Sequence, residues 1–161
     1  MALPTNNIAF TAPVNPPGAS PVLGVNQIWA GLHIKIRSAQ TFVPALESTT
    51  VLAESSDPIT GNETVVREVV FREGQRKVRE TVTAFPPSRV VFSQQDGSYI
   101  SNVISEGLDG ELYLTYVFEW RHPGASDADM VNHTGKDRTI SRMALEETIK
   151  SLRVMANKGK I

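Results

Sequence analysis

The sequence predicts an α+β fold in which a curved antiparallel sheet of about seven strands wraps around one long C-terminal helix, with two short helices after the first strand. Apolar residues recur at three- and four-residue spacings from about 137 to 158, which is typical of an amphipathic helix. Strand-like runs fill most of residues 47–121. Glu73-Gly74, Asp96-Gly97 and Asp109-Gly110 separate consecutive runs and indicate hairpins, which favour an antiparallel meander.

The first forty-six residues predict one strand and two short helices. Residues 8–11 alternate as in a strand, and the prolines that follow keep the connection extended. Asn26 can cap a helix that runs to about Arg37, and Ser38 can cap a second short helix that reaches Leu46. A DNA-binding helix-turn-helix is disfavoured because no basic face accompanies these helices.

Six further strands follow from period-two alternation and from the turn residues between them. They are predicted at residues 49–52, 64–71, 76–85, 89–93, 98–104 and 111–121. The polar segment from His122 to Thr134 contains Gly and Pro and is predicted to be a loop.

The long helix must bury its apolar stripe, because an isolated helix of this length is marginal in water. The stripe comprises Ile140, Ala144, Leu145, Thr148, Ile149, Leu152, Met155 and Ala156. The concave side of the sheet is its natural partner. A twisted sheet and a straight helix diverge along their length, so we expect a hollow between them that serves as the binding site.

Composition limits the classes of function. The 161 residues fit a single domain, 1–161, with short flexible ends, and 16 basic against 17 acidic residues provide no attraction for nucleic acid. The sequence lacks cysteine, a membrane-spanning apolar run and a secretory leader pattern, so we expect a cytoplasmic protein. Scattered histidines, including His122 and His133 in the predicted loop, do not indicate a metal site, and no cofactor is predicted.

Arg67 and Glu80 are the polar residues that stand out. Strand alternation places Arg67 on the face of Val65 and Val69, and Glu80 on the face of Val82. A two-residue turn at Glu73-Gly74 would bring the two charges together diagonally. In a wet cavity Glu80 would be a general acid or base and Arg67 an oxyanion ligand. The alternatives are an architectural ion pair or a bulge that turns one residue outward.

Other candidates come from the same alternation. Tyr116, Phe118 and Trp120 share the buried face of the last strand, and Asn102 shares a face with Ile100 and Ile104. On the first helix, Trp29 and His33 lie on the apolar side, so His33 is a third acid/base candidate. Each has a plainer interpretation: core aromatics, and a half-buried histidine bonded to backbone or water.

Several segments carry a resemblance to a known family. They are Gln27–Leu32, Val66–Val69, Val78–Glu80 and Asp109–Tyr116. Over about residues 8–158 the chain resembles the helix-grip superfamily of START-related lipid-transfer domains and the birch-pollen allergen, within a small, uncharacterised subfamily frequent in fungi and bacteria. That superfamily contains carriers, cyclases, aromatases, Pictet–Spengler-type synthases and hydrolases, so the resemblance implies a fold and a ligand cavity rather than one reaction.

Three functions follow as expectations. The protein binds a small hydrophobic molecule as a cofactor-independent cyclase, isomerase, dehydratase or hydrolase of a natural-product-like intermediate. Alternatively, it carries such a molecule without changing it. The third option is an interaction domain with a filled core. A homodimer through the outer face of the last strand, at Tyr113 and Val117, also stays open.

Overall fold

The computed structural model describes residues 2–161 as a seven-stranded antiparallel sheet with a long C-terminal helix. Along the sheet the strands follow the order β1-β7-β6-β5-β4-β3-β2. The strands are β1 (Thr5–Pro13), β2 (Leu46–Ser56), β3 (Glu63–Phe71), β4 (Lys77–Phe85), β5 (Arg89–Gln94), β6 (Tyr99–Glu106) and β7 (Leu112–Arg121). The predicted α+β fold, a curved sheet gripping a C-terminal helix, is confirmed.

The hairpins form where the turn residues predict them, with one change of register. Gly97 and Gly110 have φ values of 88° and 84°, a conformation that glycine adopts without strain. Between β3 and β4 the loop is longer than the predicted two-residue turn, because Arg72 to Arg76 all lie outside the strands. Arg67 therefore lies directly opposite Glu80, and the predicted diagonal pairing is wrong.

The helical segments differ from the prediction at their ends. Helix α1 spans Val25–Arg37, and the Gly24 N–H donates to the Gln27 side chain at its start. The second short helix is reduced to a single 3-10 turn, Ala39–Thr41, because β2 already begins at Leu46.

Helix α2 spans Asp127–Asn157 and begins about ten residues earlier than predicted. The Ser126 hydroxyl accepts a hydrogen bond from the Asp129 N–H, and the Asp129 carboxylate accepts from the Ser126 N–H in return. This reciprocal cap starts the helix inside the segment that was predicted to be a loop.

The buried side of α2 includes half of the predicted stripe, and Ala144, Ile149 and Ala156 pack partly buried against the core. Leu145, Thr148, Leu152 and Met155 are buried, whereas Ile140 is 50% exposed. Ser141 and Asp137 are also buried on this side, although both are polar. Helix α2 packs against β1, β7 and α1, so the core lies between the inner face of the sheet and the two helices. Neither helix described in residues 2–161 is long and apolar enough to cross a membrane.

Candidate functional site

A cavity of about 520 Å³ lies between the inner face of the sheet and helix α2. Much of its wall is apolar, contributed by Ala39, Val43, Leu46, Val69, Phe92, Ile100, Phe118, Trp120, Ile140 and Ala144. Its volume falls in the range of small-molecule sites in proteins. The cavity lies where the divergence of sheet and helix predicts a hollow, and the binding of a ligand there stays a prediction.

Arg67 and Glu80 line this cavity as a buried ion pair. Their side chains are 4% and 7% exposed, and the Arg67 Nε and Nη2 atoms lie 2.8 and 2.6 Å from Glu80 Oε2. Glu80 Oε1 accepts a further hydrogen bond from Gln94 Nε2 at 3.0 Å. Both charges thus face inward, as the alternation predicts, and each is compensated by the other.

Arg67 also holds the end of helix α1. Its Nη1 atom donates to the carbonyl oxygens of Lys35 and Ile36 at 2.8 and 2.7 Å. Carbonyls in the last turn of a helix lack partners within the helix, so a buried guanidinium satisfies them well. These contacts give Arg67 an architectural part in fixing α1 to β3.

Lys35 is the polar residue that the sequence interpretation missed. It lies on α1, lines the cavity and is 5% exposed. Its Nζ atom donates to Asn102 Oδ1 at 3.0 Å and to Tyr116 Oη at 2.8 Å, with Thr148 Oγ1 at 3.4 Å. Lys35 follows Ile28 by seven residues and Leu32 by three, and this helical spacing could have indicated that it shares their buried face.

The surroundings of Lys35 disfavour its charged form. Burial, and next the positive charge of Arg67, lower the pKa of Lys35 to about 7, while Glu80 opposes this change. Burial also raises the pKa of the Tyr116 phenol, which therefore stays protonated near neutral pH. The cavity thus combines an amine that titrates near neutrality with a neutral hydroxyl donor.

The predicted lining residues of the sheet all reach the cavity. Asn102, Tyr116, Phe118 and Trp120 contribute to its wall. Tyr116 Oη donates to Thr148 Oγ1 at 2.8 Å, and Trp120 Nε1 donates to Ser141 Oγ at 2.9 Å. These bonds tie β7 to α2 across the cavity.

The two candidates on α1 lie elsewhere. His33 is half-exposed, and its Nε2 atom lies 2.7 Å from Glu63 Oε2 at the start of β3. Trp29 packs near it, with ring centroids 6.4 Å apart, and neither residue lines the cavity. The inward face of α1 consists of buried residues that include Gly31, Leu32 and Lys35. Trp29 and His33 lie to the side of this face.

Two histidines of the predicted loop, His122 and His133, also line the cavity. The His122 side chain is 19% exposed, and its Nε2 atom lies 2.7 Å from Asp137 Oδ2. His133, within α2, stacks on the His122 ring at a centroid distance of 3.9 Å. The predicted loop is wrong for His133, because α2 begins at Asp127 and includes it. Within residues 2–161, no group of three or more His, Asp or Glu side chains is arranged to hold a metal ion.

Solved structures with the same architecture include two that align with nearly the whole chain. The Zhui aromatase/cyclase from Streptomyces has a TM-score of 0.58 at 14% identity and covers 94% of this chain and 96% of its own. The AHSA1-like protein from Aeromonas hydrophila has a TM-score of 0.52 at 13% identity, covering 97% and 96%. At this identity the likeness shows the fold alone. The finer assignment to START-related and birch-pollen-allergen-like proteins stays a prediction.

Sequence similarity reaches a fungal protein. The acetylaranotin biosynthesis cluster protein L of Aspergillus terreus is 29% identical over 126 residues, which is 76% of this chain and 72% of that protein. The family described by the same name, AtaL, matches residues 8–159. The chain therefore belongs to the AtaL family, acetylaranotin biosynthesis cluster protein L.

Proposed function

We propose that the protein binds a small, mostly apolar molecule in the cavity and catalyses a cofactor-independent proton transfer on it, such as a cyclisation, isomerisation or dehydration. The observation that carries the proposal is the buried group of Lys35, Tyr116 and Asn102 at the wall of an otherwise largely apolar cavity. The relative's name refers to a biosynthesis cluster and that of a structural neighbour to an aromatase/cyclase, and both support a natural-product intermediate.

The proposed chemistry needs a hydrogen-bond donor and a proton acceptor on the cavity wall. Lys35 or Tyr116 donates a hydrogen bond to a carbonyl oxygen of the bound molecule and stabilises the enolate that forms when a neighbouring proton leaves. The Glu80 carboxylate lines the same cavity and is the candidate proton acceptor. Arg67 positions Glu80 and the end of α1, and His33, which does not line the cavity, has no part in this proposal.

Occupation of the cavity can be tested with 1-anilinonaphthalene-8-sulfonate, whose fluorescence rises in apolar sites. We expect saturable binding of one probe per wild-type chain. Ala144→Phe places a ring in the cavity and should weaken binding at least about tenfold, a loss of about 1.4 kcal/mol. Met143→Phe, at a 50% exposed position on the same helix, is the matched control and should bind as wild type does.

Native mass spectrometry of protein purified from its own host completes this test by identifying any small molecule that it carries. Absence of both a bound molecule and saturable probe binding would overturn the proposal and favour an interaction domain with a filled core. Thermal unfolding of each variant shows whether a loss of binding reflects a loss of fold.

A carrier is the second candidate, and one observation favours it. Within residues 2–161 every buried side-chain nitrogen and oxygen atom already has a hydrogen-bond partner in the protein. A ligand held mainly by apolar contacts would leave this network intact. A carrier releases the co-purified compound unchanged, and its affinity for the compound is the same in Glu80→Gln. Catalysis instead predicts product, with turnover lost in Glu80→Gln while affinity is retained.

A further inference from the structure

Lys35 lacks the partner that a buried lysine usually has. Ammonium groups in protein interiors are generally paired with a carboxylate, because an isolated buried charge is very costly. The hydrogen-bond partners of Lys35 Nζ within residues 2–161 are all uncharged, namely Asn102, Tyr116 and Thr148. The carboxylate of Glu80 is instead directed at Arg67. The absence of a carboxylate partner disfavours the ammonium form of this buried group.

A cation, the Arg67 guanidinium, lies beside this amine. The Arg67 guanidinium bonds to the Lys35 carbonyl oxygen at 2.8 Å, and both side chains approach the ring of Phe92. Lys35 Nζ is 5.8 Å and Arg67 Cζ is 5.0 Å from the ring centroid. A neighbouring positive charge and a desolvated site are two features that activate lysine as a nucleophile toward carbonyl compounds.

Taking the proposed binding of a small apolar molecule as given, we propose that the molecule carries an aldehyde or ketone group and that Lys35 Nζ forms an imine with it. The substrate class is thereby narrowed to small, mostly apolar carbonyl compounds. Lys35 is among the residues that line the cavity, so a carbonyl compound bound there lies beside its side chain.

The step is balanced without a further reactant. The nitrogen lone pair forms a C–N bond to the carbonyl carbon, and the C=O π electrons move to oxygen. The oxygen takes up a proton, the resulting carbinolamine loses its hydroxyl group with a second proton as water, and the remaining electron pair on nitrogen completes the C=N bond. Both protons come from the amine. Tyr116 Oη, 2.8 Å from Nζ, is placed to transfer them to the departing oxygen.

The lowered pKa of Lys35, about 7, agrees with this geometry. The charged and titratable groups that face the amine are Arg67 from β3, Glu80 from β4 and Tyr116 from β7, and α2 contributes the uncharged Thr148. At pH 7 about half of such an amine is neutral, against roughly one part in a few thousand for an exposed lysine.

Reductive trapping tests the proposal. The purified protein is incubated at pH 7 with 2-naphthaldehyde and sodium cyanoborohydride, which reduces an imine to a stable amine, and the labelled residue is located by peptide mass mapping. We expect an adduct on Lys35 that forms at least about tenfold faster than the adduct on the exposed Lys150, at a rate that rises with pH around 7. Tyr116→Phe should slow the labelling because the proton-transfer group is lost.

Two variants complete the design. Lys35→Met should lose the rapid adduct, whereas Lys150→Met should keep it. Displacement of 1-anilinonaphthalene-8-sulfonate by the aldehyde in Lys35→Met measures reversible binding without the amine and also shows that this variant is folded.

The outcomes separate the two proposals. Aldehyde that enters the cavity of the wild type, as shown by probe displacement, but labels Lys35 no faster than Lys150 overturns imine formation and leaves the proposed function standing. A protein that binds neither probe nor aldehyde overturns both.

Discussion

Lys35 and Arg67 are two basic residues in one buried region, and they differ in whether their charge has a carboxylate partner. Arg67 has a carboxylate and two helix carbonyls as partners, so its charge is compensated. Lys35 has only uncharged partners, and its pKa is lowered to about 7 by burial and by Arg67. Arg67 therefore stabilises the fold in its charged form. Lys35 is partly neutral near pH 7, which the proposed imine formation requires.

The lowered pKa of Lys35 predicts a pH dependence of stability. The unfolded chain binds a proton at this residue up to about pH 10.5, whereas the folded chain releases it near pH 7. The cost of protonating Lys35 in the folded state therefore lowers the free energy of unfolding by its full amount, on the order of 5 kcal/mol, below pH 7. This loss of stability disappears as the pH rises from 7 to 10.5. Urea unfolding should show a free energy of unfolding that increases between pH 7 and 9.5 in the wild type, and an increase smaller by about 3 kcal/mol in Lys35→Met.

Lys150→Met removes an exposed lysine and serves as the control, with a pH dependence like that of the wild type. Equal slopes in Lys35→Met and the wild type would contradict a buried, neutral Lys35.

The contacts of Arg67 predict a large loss of stability when its side chain is replaced. Arg67→Met leaves the Glu80 carboxylate and the carbonyls of Lys35 and Ile36 without their partner, so we expect a loss of about 3–5 kcal/mol in urea unfolding. The double variant Arg67→Met/Glu80→Met should recover much of this loss, because no unpaired charge remains.

The exposed pair of Arg142 and Glu146, with nitrogen and oxygen 3.0 Å apart, provides the comparison. Arg142→Met should change the free energy of unfolding by less than about 1 kcal/mol. An Arg67→Met variant as stable as Arg142→Met would refute the architectural part given to Arg67.

At the level of elements, the contact between α1 and α2 depends on a glycine. A Cβ atom added to Gly31 would lie 2.0 Å from Leu152 Cδ2, and Leu152 is fully buried. The close approach of the two helices keeps Lys35, one turn further along α1, within reach of Thr148 on α2. The helix contact thus positions a polar group of the site as well as filling the core.

Gly31→Ala should separate the helices or force Leu152 out of its place, at a cost of about 1–3 kcal/mol in thermal or urea unfolding. Gly135→Ala is the matched control within α2, since its added Cβ meets nothing within 4 Å. That variant should be stabilised by about 0.5–1 kcal/mol through helix propensity. Effects of the same sign at both positions would show that helix propensity, not packing, governs Gly31.

At the level of the whole molecule, the cavity arises from the way a long helix crosses a curved sheet. Helix α2 packs against β1 and β7, while the cavity is lined by inward residues of β3, β4 and β5 as well. On the outer face of β7, Val117 remains 40% exposed. A homodimer through that face, and a cytoplasmic location, stay predictions.

Local pattern was sufficient for most of the secondary structure. Alternation and the Asp-Gly turns located the strands because neighbouring residues determine both. The same alternation placed Arg67, Glu80, Asn102 and Tyr116 on the inner face. The local pattern gave the wrong strand pairing between β3 and β4, because the loop is longer than the expected two-residue turn. It also gave the wrong start for α2, because the reciprocal cap of Ser126 and Asp129 lies within a polar segment that resembles a loop.

The amino-acid sequence by itself therefore determined the fold class, the order of the elements and the inward faces of β3, β4, β6 and β7, because these depend on short-range periodicity. Only the tertiary structure decided that β1 joins the sheet beside β7 and that Lys35, Asn102, Tyr116 and Thr148 meet at one point. These four residues come from α1, β6, β7 and α2. Their meeting depends on how those elements pack across more than a hundred residues of chain, and no local pattern encodes it.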